Sequence, residues 1–180
     1  MDSLRGHLLI AGAELWDPNF RRTVVLIGDH DDEGAVGVIL NRPATVAVGD
    51  AAPPLAGLVD AGEPLFIGGP VQPQAAVVLA EFVDPERADR LVVGAIGFLP
   101  SEVGPDELGV LRRARVFAGY AGWGPGQLEA ELEESSWIVE AATPEDVFAE
   151  DPGGLWSRVL RRKGDAFAVL ALMPPDPSMN

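Results

Sequence analysis

The stretch FAGYAGWGPGQLEAE, residues 117–131, decides how this chain folds. It sets Gly119, Gly122, Gly124 and Gly126 among two large aromatics, Tyr120 and Trp123, ahead of a helix-forming run. Strand, glycine-rich turn and helix is the order a phosphate cradle uses. The spacing is different: G-x-x-G-x-G-x-G replaces G-x-G-x-x-G, and no Lys-Ser or Lys-Thr pair follows. The run after the turn carries Glu129, Glu131, Glu133 and Glu134, charges that oppose a polyphosphate. The stretch therefore reads as a strand-to-helix corner. Arg115–Tyr120 is the strand, the glycines make room for backbone and rings, and Pro125 takes the first helical position. Leu128 and Leu132 share the apolar helix face, and Tyr120 and Trp123 pack the corner.

Upstream of the corner the pattern is that of strands. Thr23–Ile27 (TVVLI) and Val36–Asn41 (VGVILN) are apolar and rich in β-branched residues. The polar connection GDHDDEGA joins them as a hairpin with a longer loop. His7–Ala11, Leu65–Gly68, Ala75–Phe82, Leu91–Ile96, Trp137–Ala141 and Ala166–Met173 are further strand candidates. Ala44–Glu63 is rich in Ala, Pro and Gly and reads as an irregular surface segment, with room for a short helix near Leu55–Val59. Downstream, TPED at Thr143–Asp146 supplies an N-cap, a proline at the first position and acids in the first turn. DPGGLWSRVLRRKG repeats that logic, with Asp151 capping, Pro152 starting and Gly164 stopping the helix. Leu155, Trp156, Val159 and Leu160 form its apolar face, and Arg161, Arg162 and Lys163 complement its C-terminal dipole. Strands first and helices late imply an α+β fold. No period repeats, and 180 residues suit one domain spanning 1–180.

Composition narrows the function. The chain is 47% hydrophobic, with no apolar run near the roughly 20 residues of a membrane span. The N-terminus lacks the apolar core of a signal peptide. With no cysteine, a disulfide scaffold, a thiolate metal site and a Cys nucleophile are excluded, and the expected compartment is the cytoplasm. Net charge is −15, a field that repels nucleic acid and anionic membranes alike.

Catalytic constellations are scarce. Asp29–Glu33 (DHDDE) groups one His with four carboxylates, but it lacks the 12-residue ligand spacing of a calcium loop. It reads as a solvated hairpin loop, and no metal or cofactor is assigned. His7 and His30 are the only histidines, and no G-x-S-x-G is present. Ser101 and Ser178 are among serines with no His–Asp setting. Asn41 in LNRP can hold a turn, Arg42 is expected in a local ion pair or facing an acidic substrate, and Gly69 in FIGGPV makes a tight turn. The reading is a non-enzymatic binding protein acting through a protein or small-molecule ligand. Its expected groove gathers Asn41, Arg42, Gly69, Trp123 and Gln127. The rival readings are a small-molecule hydrolase built on His30 and its neighbouring carboxylates, and a regulator that contacts DNA directly.

Five segments together resemble one family. GHLLIA (residues 6–11), FRRTVVLIGDHDDEGAVGVILNRP (20–43), FIGGPV (66–71), GYAGWGPGQLEAELEESSW (119–137) and PSMN (177–180) look like the YqgE/AlgH family of bacterial proteins, in the family's order. The resemblance implies an α+β domain whose bifurcated, mostly antiparallel β-sheet forms a small barrel surrounded by helices. It also implies a soluble, cytoplasmic protein without cofactors, in a family often labelled as transcriptional regulators. It carries no catalytic residue set. The regulator label fits this sequence poorly as direct DNA binding, because no helix-turn-helix with a basic recognition face is present.

Overall fold

A computed structural model describes residues 2–100 and 110–173. The terminal PSMN segment and Ser101 and Ser178 lie outside the described residues. Ten strands belong to one sheet: β1 (His7–Ala11), β2 (Val24–Asp31), β3 (Gly34–Ile39), β4 (Pro43–Ala47), β5 (Pro64–Ile67), β6 (Val71–Phe82), β7 (Arg90–Val93), β8 (Ile96–Phe98), β9 (Leu111–Trp123) and β10 (Trp137–Ala141). The main path runs β10-β1-β2-β3-β9-β6-β8-β7. Strand β9 is the axis. β6 pairs antiparallel along one of its edges. On the other edge Ala121–Trp123 pairs with β3, whereas Phe117–Ala118 pairs in parallel with β5. The sheet therefore forks at β9, as the bifurcated architecture requires.

The expected barrel is not closed. Among the described residues no ladder joins the β10 and β7 ends of the path. Instead β7 comes to β2 through side chains, with Arg90 2.8 Å from Asp29.

Alternation along the strands feeds two cores. Leu8, Ile10, Val24, Leu26 and Val38 face one side, where helix α4 (Leu155–Lys163) buries Leu155, Trp156, Val159 and Leu160. Leu9, Ala11, Val25, Ile27 and Ile39 face the other, against Leu128 of helix α2 (Gln127–Glu133) and the indoles of Trp123 and Trp137. The period of two sends neighbours to opposite faces. Both faces are covered, so a strand such as VVLI is apolar throughout. Each such side chain contributes about 1.5–3 kcal/mol of burial.

Several local expectations change. Ala166–Met173 is not a strand: it forms a helical turn at Asp165–Ala168 and a 3-10 turn at Leu170–Leu172. Its Ala and Leu favour helix, and Ser157 Oγ on α4 donates to the Ala171 carbonyl at 3.1 Å. Leu91–Ile96 is a hairpin, β7 and β8, reversed at Gly94–Ala95 inside an apolar run that gave no polar turn signal. Ala44–Glu63 is not irregular throughout. It contains β4, whose Pro43 opens an edge strand where proline is tolerated, then one helical turn at Val48–Ala51 and a 3-10 turn at Pro53–Leu58. The polar loop 28–35 is mostly strand, with only Asp32 and Glu33 between β2 and β3 and a register shift between Ile27 and Asp29. At the corner, α2 starts at Gln127 and not at Pro125, because Gly126 takes a left-handed φ of 74° as the N-cap. Asp151 gives no side-chain cap; a 3-10 turn at Pro152–Gly154 precedes α4.

Candidate functional site

The corner after β9 is a bracket that fastens three strands. Glu131 on α2 accepts the Trp123 and Trp137 indole N–H groups on one oxygen, Oε1, at 3.2 and 2.9 Å. Its other oxygen accepts from Gln127 Nε2 at 2.9 Å. Gln127 in turn accepts the Gly124 N–H through Oε1 at 3.0 Å, which closes the turn. The two indoles meet edge to face at 6.1 Å, and Phe20 packs on both. These groups satisfy one another.

His30 is drawn into the same bracket. It is buried on β2, with Nδ1 accepting the Leu4 N–H at 3.0 Å and Nε2 2.7 Å from Glu129 Oε1 on α2. An Nδ1 that accepts leaves the ring hydrogen on Nε2, so Nε2–H donates to the carboxylate. That hydrogen bond holds the Glu129 carboxyl below its usual range. A cleft of about 270 Å³ lies over this pair, lined by Ser3, Asp31, Asp32 and Gly126. Among the described residues no group of three or more His, Asp or Glu side chains is set to hold a metal.

Of the five expected groove residues, Trp123 and Gln127 share the bracket. Asn41 and Arg42 lie elsewhere, just past the Ile39 end of β3, and Gly69 lies against β9 at Tyr120–Ala121. Asn41 Oδ1 accepts the Val24 N–H at 2.9 Å and its Nδ2 donates to the Arg22 carbonyl at 2.9 Å. Arg42 donates to the carbonyls of Asn19 and Arg21 at 2.6 and 3.0 Å, and burial lowers its pKa against the opposing pull of Asp17. Both clip the segment that carries Phe20 onto the Trp123–Trp137 pair. Gly69 has a φ of 157°, and a Cβ there would lie 2.1 Å from the Tyr120 carbonyl oxygen. It is the point where two backbones touch. The side chains of Asn41 and Arg42 are spent on main-chain groups, and Gly69 has none.

A different surface has the properties of a binding site. Strand β5 begins at Pro64, level with Arg115 in the parallel register, and β9 extends beyond it, so Leu111–Ala114 has a strand neighbour only on the β6 side among the described residues. A cleft of about 400 Å³ opens in that lane. Its floor is Leu111–Arg115, and its walls include Leu58, Val59, Asp60, Glu63 and Phe148. Arg115 is buried over the Phe66 ring at 4.5 Å and donates to the carbonyls of Val147 and Ala149 at 3.3 and 3.1 Å. Burial lowers its pKa, against the pull of Glu63 at 3.4 Å. Its Nε is buried with no hydrogen-bond partner among the described residues. Arg113 lies over Phe148 and is shared between Glu81 and Glu145, both at 3.3 Å. Partial burial works to lower its pKa, but those two carboxylates raise it overall. Arg112 is exposed and has no ion-pair partner among the described residues. The sequence offered one signal for this site, the RRAR run of residues 112–115 in a chain with 28 acids. Sequence reasoning passed over it, because which strand edge would stay open depends on where β5 begins.

The basic end of α4 has a structural use. Arg162 makes a two-pronged pair with Asp146, 2.8 Å on each prong, and donates to the Ala141 carbonyl. Lys163 donates to the Val139 carbonyl at 2.6 Å. The two cations occupy carbonyls of β10, an end strand of the sheet.

Comparison with known proteins places the chain among relatives. A family model described as AlgH-like matches residues 8–168. A UPF0301 protein of Streptomyces coelicolor is 48% identical over 189 residues, covering 100% of this chain and 97% of the relative. One from Streptomyces avermitilis is 47% identical over 190 residues with the same coverage. Among solved structures, a Corynebacterium diphtheriae protein superposes with a TM-score of 0.86 at 30% identity, over 95% of this chain and 93% of that one. The solution structure of the AlgH protein from Pseudomonas aeruginosa superposes with a TM-score of 0.71 at 29% identity, over 96% and 95% of the two chains.

Proposed function

The chain belongs to the AlgH-like family, and for this member we propose a non-enzymatic binding or regulatory role, exercised through a protein or small-molecule partner at the arginine-lined cleft. One observation carries the reading. A chain of net charge −15 concentrates three guanidinium groups on four successive residues of β9, beside an open strand edge. Guanidinium groups are forked donors suited to carboxylate and phosphate.

The state of His30 favours binding over hydrolysis. A general base needs a lone pair aimed at the proton it removes. The lone pair on Nδ1 faces the Leu4 N–H, and the Nε2 hydrogen is held by Glu129. Direct DNA contact is disfavoured by the acidic field of the whole chain, and no membrane-spanning helix is found among the described residues.

A thermal-shift panel of carboxylate and phosphate metabolites and acidic peptides tests the reading, because a ligand that binds only the folded state raises Tm. We expect at least one compound to stabilise the wild type and His30→Gln equally but to leave Arg112→Glu unshifted. Shifts that survive in Arg112→Glu, or ester or phosphoester turnover that His30→Gln abolishes, would overturn it.

A further inference from the structure

We infer that the lane beside Leu111–Arg115 takes an extended acidic peptide, which adds as a strand to the open edge of β9. The inference rests on the binding role proposed above and names its partner. Three features of the site converge on it.

The first is the backbone. Among the described residues, Leu111–Arg115 forms its one ladder with β6. In a strand paired on one edge, alternate N–H and C=O groups point outward and form a template for another chain. The lane continues the line of β5, which already pairs with β9 at Phe117–Ala118. The sheet geometry needed by an added strand is therefore set by its own neighbour.

The second is the contrast between two edges of one sheet. On β10 the carbonyls of Val139 and Ala141 are occupied by Lys163 and Arg162. No side chain among the described residues donates in this way to Leu111–Arg115; Arg113 and Arg115 direct their guanidinium groups to other partners. An open edge set inside a cleft is the arrangement used for strand addition, in which main-chain bonds give affinity and side-chain pockets give specificity.

The third is charge. Arg112, Arg113 and Arg115 line the cleft with two carboxylates, Asp60 and Glu63; Glu63 pairs with Arg115 and Arg113 is held by Glu81 and Glu145 outside the lining, which leaves Arg112 as the cation an incoming carboxylate meets first. Arg112 is uncommitted among the described residues, and the Glu145 that holds Arg113 is 80% exposed, a pair an incoming carboxylate can replace. Val59 and Phe148 line the same lane and suit the apolar residues of an alternating peptide.

The test uses the full chain and a fluorescein-labelled, capped hexapeptide of alternating valine and glutamate, followed by anisotropy at low and moderate salt. A lysine-for-glutamate peptide and a backbone N-methylated glutamate peptide serve as controls. We expect the acidic peptide to bind and to weaken with salt. Affinity should drop about tenfold or more for Arg112→Glu, a surface change that leaves the core intact. N-methylation should abolish binding, and hydrogen exchange should slow at Leu111–Arg115 when the peptide is present. Absence of binding, equal binding of the lysine or N-methylated peptide, or binding without slowed exchange at that stretch would overturn the inference. If the hexapeptide fails while a carboxylate or phosphate metabolite stabilises the wild type but not Arg112→Glu, strand addition falls and the binding role stands. If no ligand distinguishes the wild type from Arg112→Glu, both fall.

Discussion

Arg115 shows how much one side chain can hold together and how little of that is visible in sequence. Its guanidinium stacks on Phe66 and reaches the carbonyls of Val147 and Ala149, tying β9 to β5 and to the segment before α4. Those partners are 49, 32 and 34 residues away along the chain, beyond any local pattern. Arg115→Ala removes the donor and leaves two carbonyls unpaired. We expect a loss of about 2–4 kcal/mol, read as a lower urea midpoint with unchanged slope. Asn41 was legible as a turn-forming residue and does clip a loop, whereas Arg42, expected in an ion pair, donates to main-chain carbonyls instead. Their hydrogen-bond targets, the main chain at Asn19–Val24, became neighbours only through the β2–β3 pairing. His30 misled in another way. In the sequence it sits in a polar loop, but the strand runs on through it and turns its ring inward.

At the scale of the element, α2 and α4 are brackets. Glu131→Ala deprives both indoles of their acceptor, with an expected cost of about 1–3 kcal/mol. Chemical denaturation followed by tryptophan emission would measure it, and Glu131→Gln should recover part of the loss. The TPED reading was confirmed: Thr143 caps and Asp146 reaches back in a capping box ahead of the turn Pro144–Val147. Sequence could not show that Asp146 also pairs with Arg162, one of the cations assigned to the helix dipole. Burial by itself would raise the pKa of Asp146, but Arg162 and the Thr143 N–H hold it below its ordinary value. A carboxylate with a depressed folded pKa stabilises fully above its unfolded value, about 3.9, and loses that contribution as pH falls through the lower folded value. Asp146→Asn should therefore cost about 1–3 kcal/mol at neutral pH. The gap to wild type should narrow below about pH 4, as thermal melts across pH would show.

At the scale of the molecule, the α+β class and most strands were legible because buried strands advertise themselves as short β-branched runs. The fork was not. It depends on β9 being long enough to serve β3, β5 and β6 at once, and on β5 stopping short of its full length. The unclosed sheet was equally hidden, since β7 meets β2 through an ion pair in place of a ladder. The same fork creates the open edge and its arginine lane, so the site is a product of topology. Chemical-shift mapping of the 19.0 kDa chain tests this most directly. Titration of the labelled protein with the valine–glutamate hexapeptide should move the amides of Leu111–Arg115, Val59, Asp60 and Phe148. Shifts centred on Ser3, His30 and Gly126, with β9 unmoved, would contradict the account.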